Sequence, residues 1–286
     1  MEMVFKIICM SVLTPTKIKE LCKEYGLSPS KKYGQNYLVN FDPIQKMLET
    51  AEVNKKDNIL EIGPGFGVLT LALVDSAQKV IAYEIEKKLE DYWNKKLQEY
   101  SNLHIIWGNA ITNIKNKEFE FKGKYKVIAN LPYQITSHIL RTLLELENKP
   151  EKIVVMVQKE VAERICEKPG NMSLLAVSVQ YYGEPKIVLR VSRGNFWPEP
   201  KVDSAVLSIQ IYKHTNIQTS FDKKFFEIVK AGFANKRKQL WRNLSVNLKI
   251  DGEKIKKALL KSYLKETVRA QELSLEQWKK LCGFIL

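Results

Sequence analysis

The chain has 286 residues, of which 45% are hydrophobic, and a formal net charge of +14 at pH 7. This length and apolar content support a folded α/β domain with a smaller second domain, and they exclude an intrinsically disordered chain. The four cysteines are scattered, without a Cys-x-x-Cys pair or nearby histidines, which argues against a zinc site and for a reducing compartment.

Residues 1–30 are predicted to form an amino-terminal extension followed by a short helix. The first residues include an apolar stretch, but Glu2 stands where a secretion signal needs positive charge, and a Thr-Pro pair ends the stretch early. We therefore expect no secretion signal, no membrane span and a cytoplasmic location. The segment TKIKELCKEYGL that follows has the spacing of an amphipathic helix, with Gly26 near its carboxyl-terminal cap.

Residues 31–211 contain seven short β-branched runs separated by helical stretches. The runs are NILEIG, KVIAYE, LHIIWG, YKVIAN, KIVVMVQ, KIVLRV and AVLSIQI. This alternation predicts a mostly parallel sheet with helices on its faces. The loop between the last two runs is too short for a crossover helix, so these runs are predicted to pair as an antiparallel hairpin.

Residues 212–286 change to a basic, helical periodicity and are predicted to form a small helical domain. This segment carries 17 Lys and Arg against 7 Asp and Glu, and so holds most of the net charge. Such an excess favours a polyanionic partner, because each phosphate neutralised releases counterions. A solvated, lysine-rich surface explains the charge alone equally well.

A glycine-rich turn follows the first strand in NILEIGPGFGVLTLAL, at Gly63, Gly65 and Gly67. Glycines there let the backbone approach a ligand, although such a turn on its own is weak support for a binding site. Glu84 ends the next strand, 21 residues after Gly63, the spacing at which a carboxylate accepts hydrogen bonds from both hydroxyls of a ribose. Val68 stands where a dinucleotide site needs glycine, and no Lys-Ser/Thr pair follows, so the pattern favours S-adenosylmethionine.

Polar and aromatic residues end the third and fourth strands. Asn109 stands where an acceptor could meet the adenine amine of the cofactor, although on its own this position is better explained as a plain surface loop. Asn130-Leu131-Pro132-Tyr133 overhangs the same crevice. The Asn130 oxygen and a backbone carbonyl of the Leu131-Pro132 turn can accept both protons of an exocyclic adenine amine, which aims its lone pair at a sulfonium methyl. Tyr133 offers a stacking face for an extruded base, worth about 1–3 kcal/mol. The tetrapeptide therefore predicts adenine methylation by in-line displacement.

Five segments occur in the order KKYGQNYL, LEIGPGFGVLT, ANLPYQIT, FWPEPKVDSAV and FANKRKQLWRNL. This ordered set resembles the motifs of the ribosomal RNA adenine dimethyltransferases, specifically the small-subunit KsgA/RsmA type, from about Lys31 to the carboxyl terminus. The resemblance implies a class I S-adenosylmethionine-dependent methyltransferase fold. That fold is Rossmann-like, with a mostly parallel seven-stranded sheet, an antiparallel terminal hairpin and a small carboxyl-terminal helical domain.

The resemblance also implies a reaction and a set of site residues. A monomer would dimethylate the N6 amines of two adjacent adenosines near the 3′ end of 16S ribosomal RNA in the 30S subunit, with a role in ribosome biogenesis. The implied cofactor contacts are Asn36, Leu38, Gly63, Gly65, Glu84, Asn109 and Asn130. The implied target-base residues are Asn130, Leu131, Pro132 and Tyr133, with Phe196 of NFWPEP as a second aromatic bracket. No metal is implied.

One position departs from the family pattern. The family usually has Asp where this chain has Asn109, and a neutral amide accepts a weaker hydrogen bond than a carboxylate. We therefore expect weaker cofactor binding rather than loss of activity.

The basic cluster Lys236, Arg237, Lys238 and Arg242 lies on or beside one predicted helix, with Trp241 among its members. Contact with the ribosomal RNA backbone is one interpretation of this cluster. The other is a helix packed through its apolar side chains, with its charged face in water.

Three other functions stay open from the sequence. The related large-subunit methyltransferases that confer macrolide resistance tend to have Ser and Asn where this chain has Gly34 and Asp203. A non-catalytic RNA-binding or transcription factor on the same scaffold is disfavoured by the intact glycine turn, Glu84, Asn130 and Tyr133. A nicotinamide-dependent oxidoreductase is disfavoured because the third glycine and a proton-transfer residue are lacking.

Overall fold

The chain forms two compact units. The computed structural model describes residues 13–29, 35–117, 121–213 and 220–285. The described residues of Met1–Ala162 and Lys186–Ile211 form the first unit, and those of Glu163–Pro185 and Tyr212–Leu286 form the second. The second unit thus includes a segment before residue 212 as well as the helical segment after it. The functional division of the chain at that residue stays a prediction.

Nine strands occur among the described residues. They are β1 (Tyr37–Leu38), β2 (Asn58–Ile62), β3 (Lys79–Glu84), β4 (Leu103–Trp107), β5 (Lys126–Asn130), β6 (Lys152–Gln158), β7 (Gly183–Val191), β8 (Phe196–Trp197) and β9 (Ser204–Ile211). Seven of them correspond to the predicted runs. The other two, β1 and β8, contain two residues each, too few for a periodicity to show.

The large sheet has the strand order β4-β3-β2-β5-β6-β9-β7. Strands β4, β3, β2, β5 and β6 are parallel, and β9 runs antiparallel to β6. Strand β7 hydrogen-bonds to β9 at the edge, so the last two predicted runs are neighbours. This arrangement confirms the predicted class I fold.

The chain order places a crevice in the middle of this sheet. From β2 the chain continues outward through β3 and β4, and then returns to the other side of β2 as β5 and β6. The connections therefore diverge between β2 and β5, and ligands of open α/β sheets bind at the carboxyl ends of strands at such a switch point. A separate two-stranded sheet, with β1 antiparallel to β8, pairs Leu38 with Phe196.

Helices flank the sheet along the chain. They are α1 (Pro15–Glu24), α2 (Asp42–Ala51), α3 (Val68–Val74), α4 (Glu90–Leu97), α5 (Ala110–Lys115), α6 (Thr136–Leu144) and α7 (Lys159–Ile165). The predicted amino-terminal helix is α1, which begins because the Thr14 hydroxyl accepts the Lys17 N–H and Pro15 fits the first helical turn. The hydrophobic side chains of α3 are buried except that of Leu71, which is partly exposed, and this packing anchors the helix that follows the glycine turn.

The second unit is helical. Its helices are α8 (Leu174–Tyr182), α9 (Ser220–Gly232), α10 (Leu240–Leu248), α11 (Gly252–Lys261) and α12 (Leu275–Ile285). Their core is built around the fully buried Phe225 and Trp278. Across both units, no helix within the described ranges is long and apolar enough to cross a membrane.

Candidate active site

A cavity of about 170 Å³ lies at the carboxyl ends of β2, β3 and β5. Its walls contain every residue that the sequence assigned to the cofactor. These residues are Asn36, Leu38, Gly63, Gly65, Glu84, Asn109 and Asn130. Leu131, Pro132 and Tyr133 line it as well, so one cavity brings together the predicted cofactor residues and the tetrapeptide Asn130-Leu131-Pro132-Tyr133.

The glycine turn lines this cavity through Gly63 and Gly65, and its backbone conformation favours glycine. Gly63, Gly65 and Gly67 have φ values of 74°, 55° and 84°. The Gly63 N–H donates to the Tyr83 carbonyl at 2.9 Å, which continues the β2–β3 pairing past the end of β2. The Trp93 indole N–H donates to the Gly65 carbonyl at 3.0 Å. A buried side chain therefore fixes the part of the turn that a ligand would meet.

Glu84 ends β3 at the cavity wall and is only 4% exposed. One carboxylate oxygen accepts the Gly65 N–H at 3.1 Å, and the other accepts the Glu86 N–H at 2.8 Å. Burial raises the pKa of Glu84, while the backbone N–H groups of Glu86, Gly65 and Ile85 oppose that rise. Because each carboxylate oxygen can accept more than one hydrogen bond, Glu84 retains capacity for two further donors.

Asn109 lines the cavity and also caps helix α5. Its side-chain oxygen accepts the N–H groups of Ile111 at 2.9 Å and Thr112 at 3.4 Å. The sequence interpretation used that same oxygen as the acceptor for an adenine amine. In the structure it serves the helix, because an Asn at a strand end followed by a helix meets the unpaired N–H groups of the first turn.

The Asn130 carboxamide is oriented by a backbone contact. Its Nδ2 donates to the Asn36 carbonyl at 3.4 Å, which directs Oδ1 away from that carbonyl. Leu131 stays tied to the sheet through its N–H, which donates to the Met156 carbonyl at 3.0 Å. The Pro132 carbonyl accepts the Ile135 N–H at 3.2 Å as the chain turns towards α6.

Tyr133 is held by a side chain that the motifs did not indicate. Its hydroxyl lies 2.7 Å from the Ser204 hydroxyl, at the start of β9. Ser204 is fully buried, so the contact fixes one end of the tyrosine ring. The sequence contains Ser204 in the quoted FWPEPKVDSAV segment, but only the sheet order brings β9 close to the turn after β5.

The structure does not bring Phe196 to this cavity. Phe196 pairs with Leu38 in the two-stranded sheet, is 4% exposed and belongs to the hydrophobic core. Phe196 thus lies opposite β1, the strand that follows Asn36, and it is not among the cavity's lining residues. An aromatic bracket formed by Phe196 therefore stays a prediction without a contact to support it.

Glu61 is a second buried carboxyl group at the cavity, and sequence analysis missed it. It is 1% exposed, and its Oε2 has no hydrogen-bond partner in the described part of the chain. Burial raises the pKa of Glu61 to about 8; the neighbouring Thr70 hydroxyl lowers it, and the Glu84 charge raises it. An acidic residue between Leu60 and Ile62 in a strand predicted to be buried was the available signal.

Replacing Glu61 by Gln should alter the pH dependence of stability. Between the ordinary value of 4.5 and about 8, the folded protein binds more protons at this site than the unfolded chain does. The stability contributed is therefore complete below pH 4.5 and is lost as pH rises through about 8. We expect Glu61→Gln to be more stable than wild type at high pH by about 1 kcal/mol or more, since one unit of pKa difference corresponds to about 1.4 kcal/mol.

Urea unfolding near pH 5 and above pH 8 measures this effect. The wild type should lose more stability than Glu61→Gln over that range. Glu84, whose pKa is also raised, remains in both proteins, so the difference between them measures Glu61 together with its interaction with Glu84. If the free energy of unfolding changed with pH by the same amount in both proteins, the assignment of a protonated Glu61 would be wrong.

The predicted RNA-contact cluster lies in the second unit, around the start of α10. Lys236, Arg237, Lys238 and Arg242 are all exposed. The Arg242 guanidinium lies 5.2 Å from the centre of the Trp241 ring, and the Lys256 ammonium lies 4.6 Å from it. The cluster therefore combines cations with a partly buried aromatic face.

Comparison with known proteins places this site in a family. Residues 27–285 match the family model described as Ribosomal RNA adenine dimethylase. The chain is 40% identical over 264 residues to Ribosomal RNA small subunit methyltransferase A of Dehalococcoides mccartyi, covering 92% of this chain and 91% of that protein. It is 37% identical over 280 residues to the protein of the same name from Bacillus licheniformis, covering 94% and 96%.

Solved structures agree with this assignment. A dimethyladenosine transferase from Plasmodium falciparum superposes with a TM-score of 0.70 at 27% identity, covering 86% of this chain and 95% of that one. The 23S rRNA methyltransferase ErmE superposes with a TM-score of 0.69 at 26% identity, covering 87% and 99%. This chain therefore belongs to the ribosomal RNA adenine dimethylase family.

Proposed function

We propose that the chain transfers methyl groups from S-adenosylmethionine to the N6 amines of two adjacent adenosines near the 3′ end of 16S ribosomal RNA. The observation that carries this proposal is the position of Asn130-Leu131-Pro132-Tyr133 on the wall of the cavity that also holds the glycine turn and Glu84. The names of the relatives, which are small-subunit methyltransferases, support the choice of substrate. We further propose that the enzyme acts as a monomer. A 30S substrate would be met in the cytoplasm, and its modification would be part of ribosome biogenesis.

The cavity fits a cationic nucleoside better than a phosphorylated one. Its described lining contains the carboxyl groups of Glu61 and Glu84 and neither lysine nor arginine. A sulfonium centre and an ammonium group would be attracted to the Glu84 carboxylate, whereas a pyrophosphate would be repelled. Glu61, whose pKa burial raises to about 8, is mostly neutral near pH 7 and adds little charge. Glu84 would accept the ribose hydroxyls, and the turn at Gly63 and Gly65 would allow close approach of the methionine part.

When bound, S-adenosylmethionine supplies an electrophilic methyl group on sulfur. The chain's own task is to hold the adenine amine in line with that methyl group. The Asn130 oxygen would accept a hydrogen bond from one N–H of that amine. Because the Pro132 carbonyl already accepts the Ile135 N–H, we assign the second acceptor to the Leu131 carbonyl. These acceptors stabilise positive charge that develops on nitrogen, and the Tyr133 ring would stack on the extruded base.

The basic cluster at the start of α10 would contact the RNA backbone. Lys236, Arg237, Lys238 and Arg242 would supply cations for phosphates without reading the base sequence. This assignment leaves the choice of adenosine to the cavity and to the shape of the particle.

Labelled S-adenosylmethionine and undermethylated ribosomal subunits test the proposal. We expect label in 16S ribosomal RNA of 30S particles, at two adjacent adenosines near the 3′ end. Label in 23S ribosomal RNA of 50S particles would instead support the macrolide-resistance reaction, as in the similar structure of ErmE. Binding without any label would support the non-catalytic alternative.

Replacing Asn109 by Asp should tighten cofactor binding. The Asn109 oxygen is already used by the N–H groups of Ile111 and Thr112, whereas Asp would cap α5 with one oxygen and present the other to the adenine amine. We expect the dissociation constant for S-adenosylmethionine to fall about fivefold, which corresponds to about 1 kcal/mol. Calorimetric titration measures it, with Asn109→Ser as a control that keeps the cap without a second oxygen. An unchanged or weaker constant for the Asp variant would defeat this explanation.

Removing the Ser204 hydroxyl should slow methyl transfer by loosening Tyr133. We expect Ser204→Ala to lower kcat by about 5–10-fold, while cofactor affinity stays near the wild-type value. Tyr133→Phe should give a similar loss, and the double variant should be no worse, because both single variants remove the same 2.7 Å contact. Ser208→Ala, in the same strand, serves as the control. Additive losses in the double variant would disprove the coupling.

A further inference from the structure

Tyr263 adopts a backbone conformation that a tyrosine does not favour. It follows α11 with a φ of 60°. The Tyr263 N–H donates to the Leu260 carbonyl and the Leu264 N–H donates to the Leu259 carbonyl, each at 2.9 Å. This pair of bonds is the Schellman motif, in which the left-handed position is usually glycine. A glycine would satisfy the helix end with less strain, so the helix end does not explain the tyrosine.

Packing does not explain the tyrosine either. Tyr263 is 85% exposed, the highest exposure among the large hydrophobic side chains of the described residues. The Lys280 ammonium, from α12, lies 4.0 Å from the centre of its ring. Such a cation is attracted to the ring face and lies close to any group that binds there.

The surroundings of the ring are cationic. Lys261 and Lys265, two residues on either side of Tyr263 in sequence, are exposed, and so is Lys280. Glu266 is the one exposed acidic residue among the five that follow Tyr263 in sequence. A protein partner that buried an apolar tyrosine here would also have to desolvate these lysines. A nucleotide offers a flat apolar base and a phosphate in one ligand, which matches the ring and the ammonium together.

We propose that Tyr263 and Lys280 form a second RNA contact, in which an unpaired base stacks on the Tyr263 ring and Lys280 binds the adjoining phosphate. The proposal rests on the proposed ribosomal RNA substrate and adds to it a recognition site apart in sequence from the cluster Lys236–Arg242. It concerns the carboxyl-terminal unit alone. Residues of the methyl-transfer cavity take no part in it.

Three substitutions of Tyr263 separate stacking from structure. Affinity is measured for undermethylated 30S particles. Tyr263→Phe should bind as wild type does, because it keeps the ring. Tyr263→Leu and Tyr263→Gly should bind about 10-fold more weakly, within the range that loss of one base stack produces. Tyr263→Gly should also raise Tm, since glycine relieves the left-handed strain. A variant that is more stable and yet binds RNA less well cannot be explained by damage to the fold.

The role of Lys280 is tested by salt dependence. Lys280→Met keeps much of the side chain's length and removes its charge. It should reduce the slope of log affinity against log salt concentration by about 0.7–0.9, the change expected for one lost phosphate contact. Tyr263→Leu should lower affinity without changing that slope. An unchanged slope for Lys280→Met would remove the phosphate contact from the proposal.

Ultraviolet cross-linking identifies the partner class directly. Wild-type protein irradiated on undermethylated 30S particles should yield, after nuclease and protease digestion, a Tyr263 peptide that carries a nucleotide. A ribosomal protein on that peptide would overturn the proposal. Wild-type affinity for all three Tyr263 variants would overturn it too, provided that wild-type protein methylates the particles. If wild-type protein neither methylates nor binds them, the proposed function itself fails.

Discussion

Asn130→Ala should lower the rate of methyl transfer to undermethylated 30S particles by about 100–1,000-fold, the loss typical of removing one preorganised hydrogen-bonding group from a reacting centre. The physical reason is the loss of the acceptor that orients the adenine amine. Cofactor affinity should change less than the rate, because the glycine turn and Glu84 remain in the cavity. Single-turnover kinetics with saturating S-adenosylmethionine separate the two quantities.

Asn130→Asp is the matched variant. It keeps the shape of the side chain and an acceptor oxygen, but it loses the amide group that donates to the Asn36 carbonyl at 3.4 Å. A carboxylate oxygen would then face that carbonyl and turn away from it. We expect a rate about 10-fold or more below wild type, with the cofactor still bound. If Asn130→Ala transferred methyl groups at the wild-type rate, the proposed chemistry would be wrong.

The sequence predicts those site residues that directly follow a recognisable strand. The glycine turn, Glu84 and Asn130-Leu131-Pro132-Tyr133 each follow a strand whose β-branched composition is unmistakable. The rule that parallel strands end at one edge places all three at the same side of the sheet. Their meeting in one cavity also depends on the strand order β3-β2-β5, which makes these strands neighbours.

The tertiary contacts of individual side chains could not be predicted from the sequence. Ser204 reaches Tyr133 only because β9 inserts next to β6, and Trp93 reaches Gly65 from a helix 28 residues away in sequence. The motif that contains Phe196 does not show that this residue pairs with Leu38 in a two-stranded sheet, and its role as an aromatic bracket stays a prediction. The cap that Asn109 forms on α5 was likewise not predicted, and its contact with a ligand stays a prediction. In each case the contact is made with a residue that is distant in sequence or with a backbone group. The identity of the residue alone predicts neither kind of contact.

Gly67→Ala should destabilise the first unit by about 2–4 kcal/mol. Two effects combine at this position. Its φ of 84° lies in the left-handed region, where a side chain costs about 1 kcal/mol or more. An added Cβ would also lie 2.8 Å from Cη2 of Trp93, a side chain that is fully buried, and overpacking of this kind typically costs about 1–3 kcal/mol.

Gly26→Ala is the control for the first of these effects. Gly26 has a φ of 60°, and nothing lies within 4 Å of an added Cβ, so only the backbone cost applies. Chemical denaturation of both variants therefore measures the Trp93 contact as their difference, expected to be about 1–3 kcal/mol.

The Trp93 contact links this stability change to the cofactor site. The ring that would be displaced by a Cβ at Gly67 is the same one whose N–H donates to the Gly65 carbonyl at 3.0 Å. Moving Trp93 would loosen the turn beneath the ligand, so Gly67→Ala should also weaken S-adenosylmethionine binding, while Gly26→Ala should not. Gly67 then allows the Trp93 ring to pack against the turn and does not itself contact the ligand. Equal stability losses in the two variants would show that Trp93 can move aside without cost, and the link between its packing and the cofactor turn would be lost.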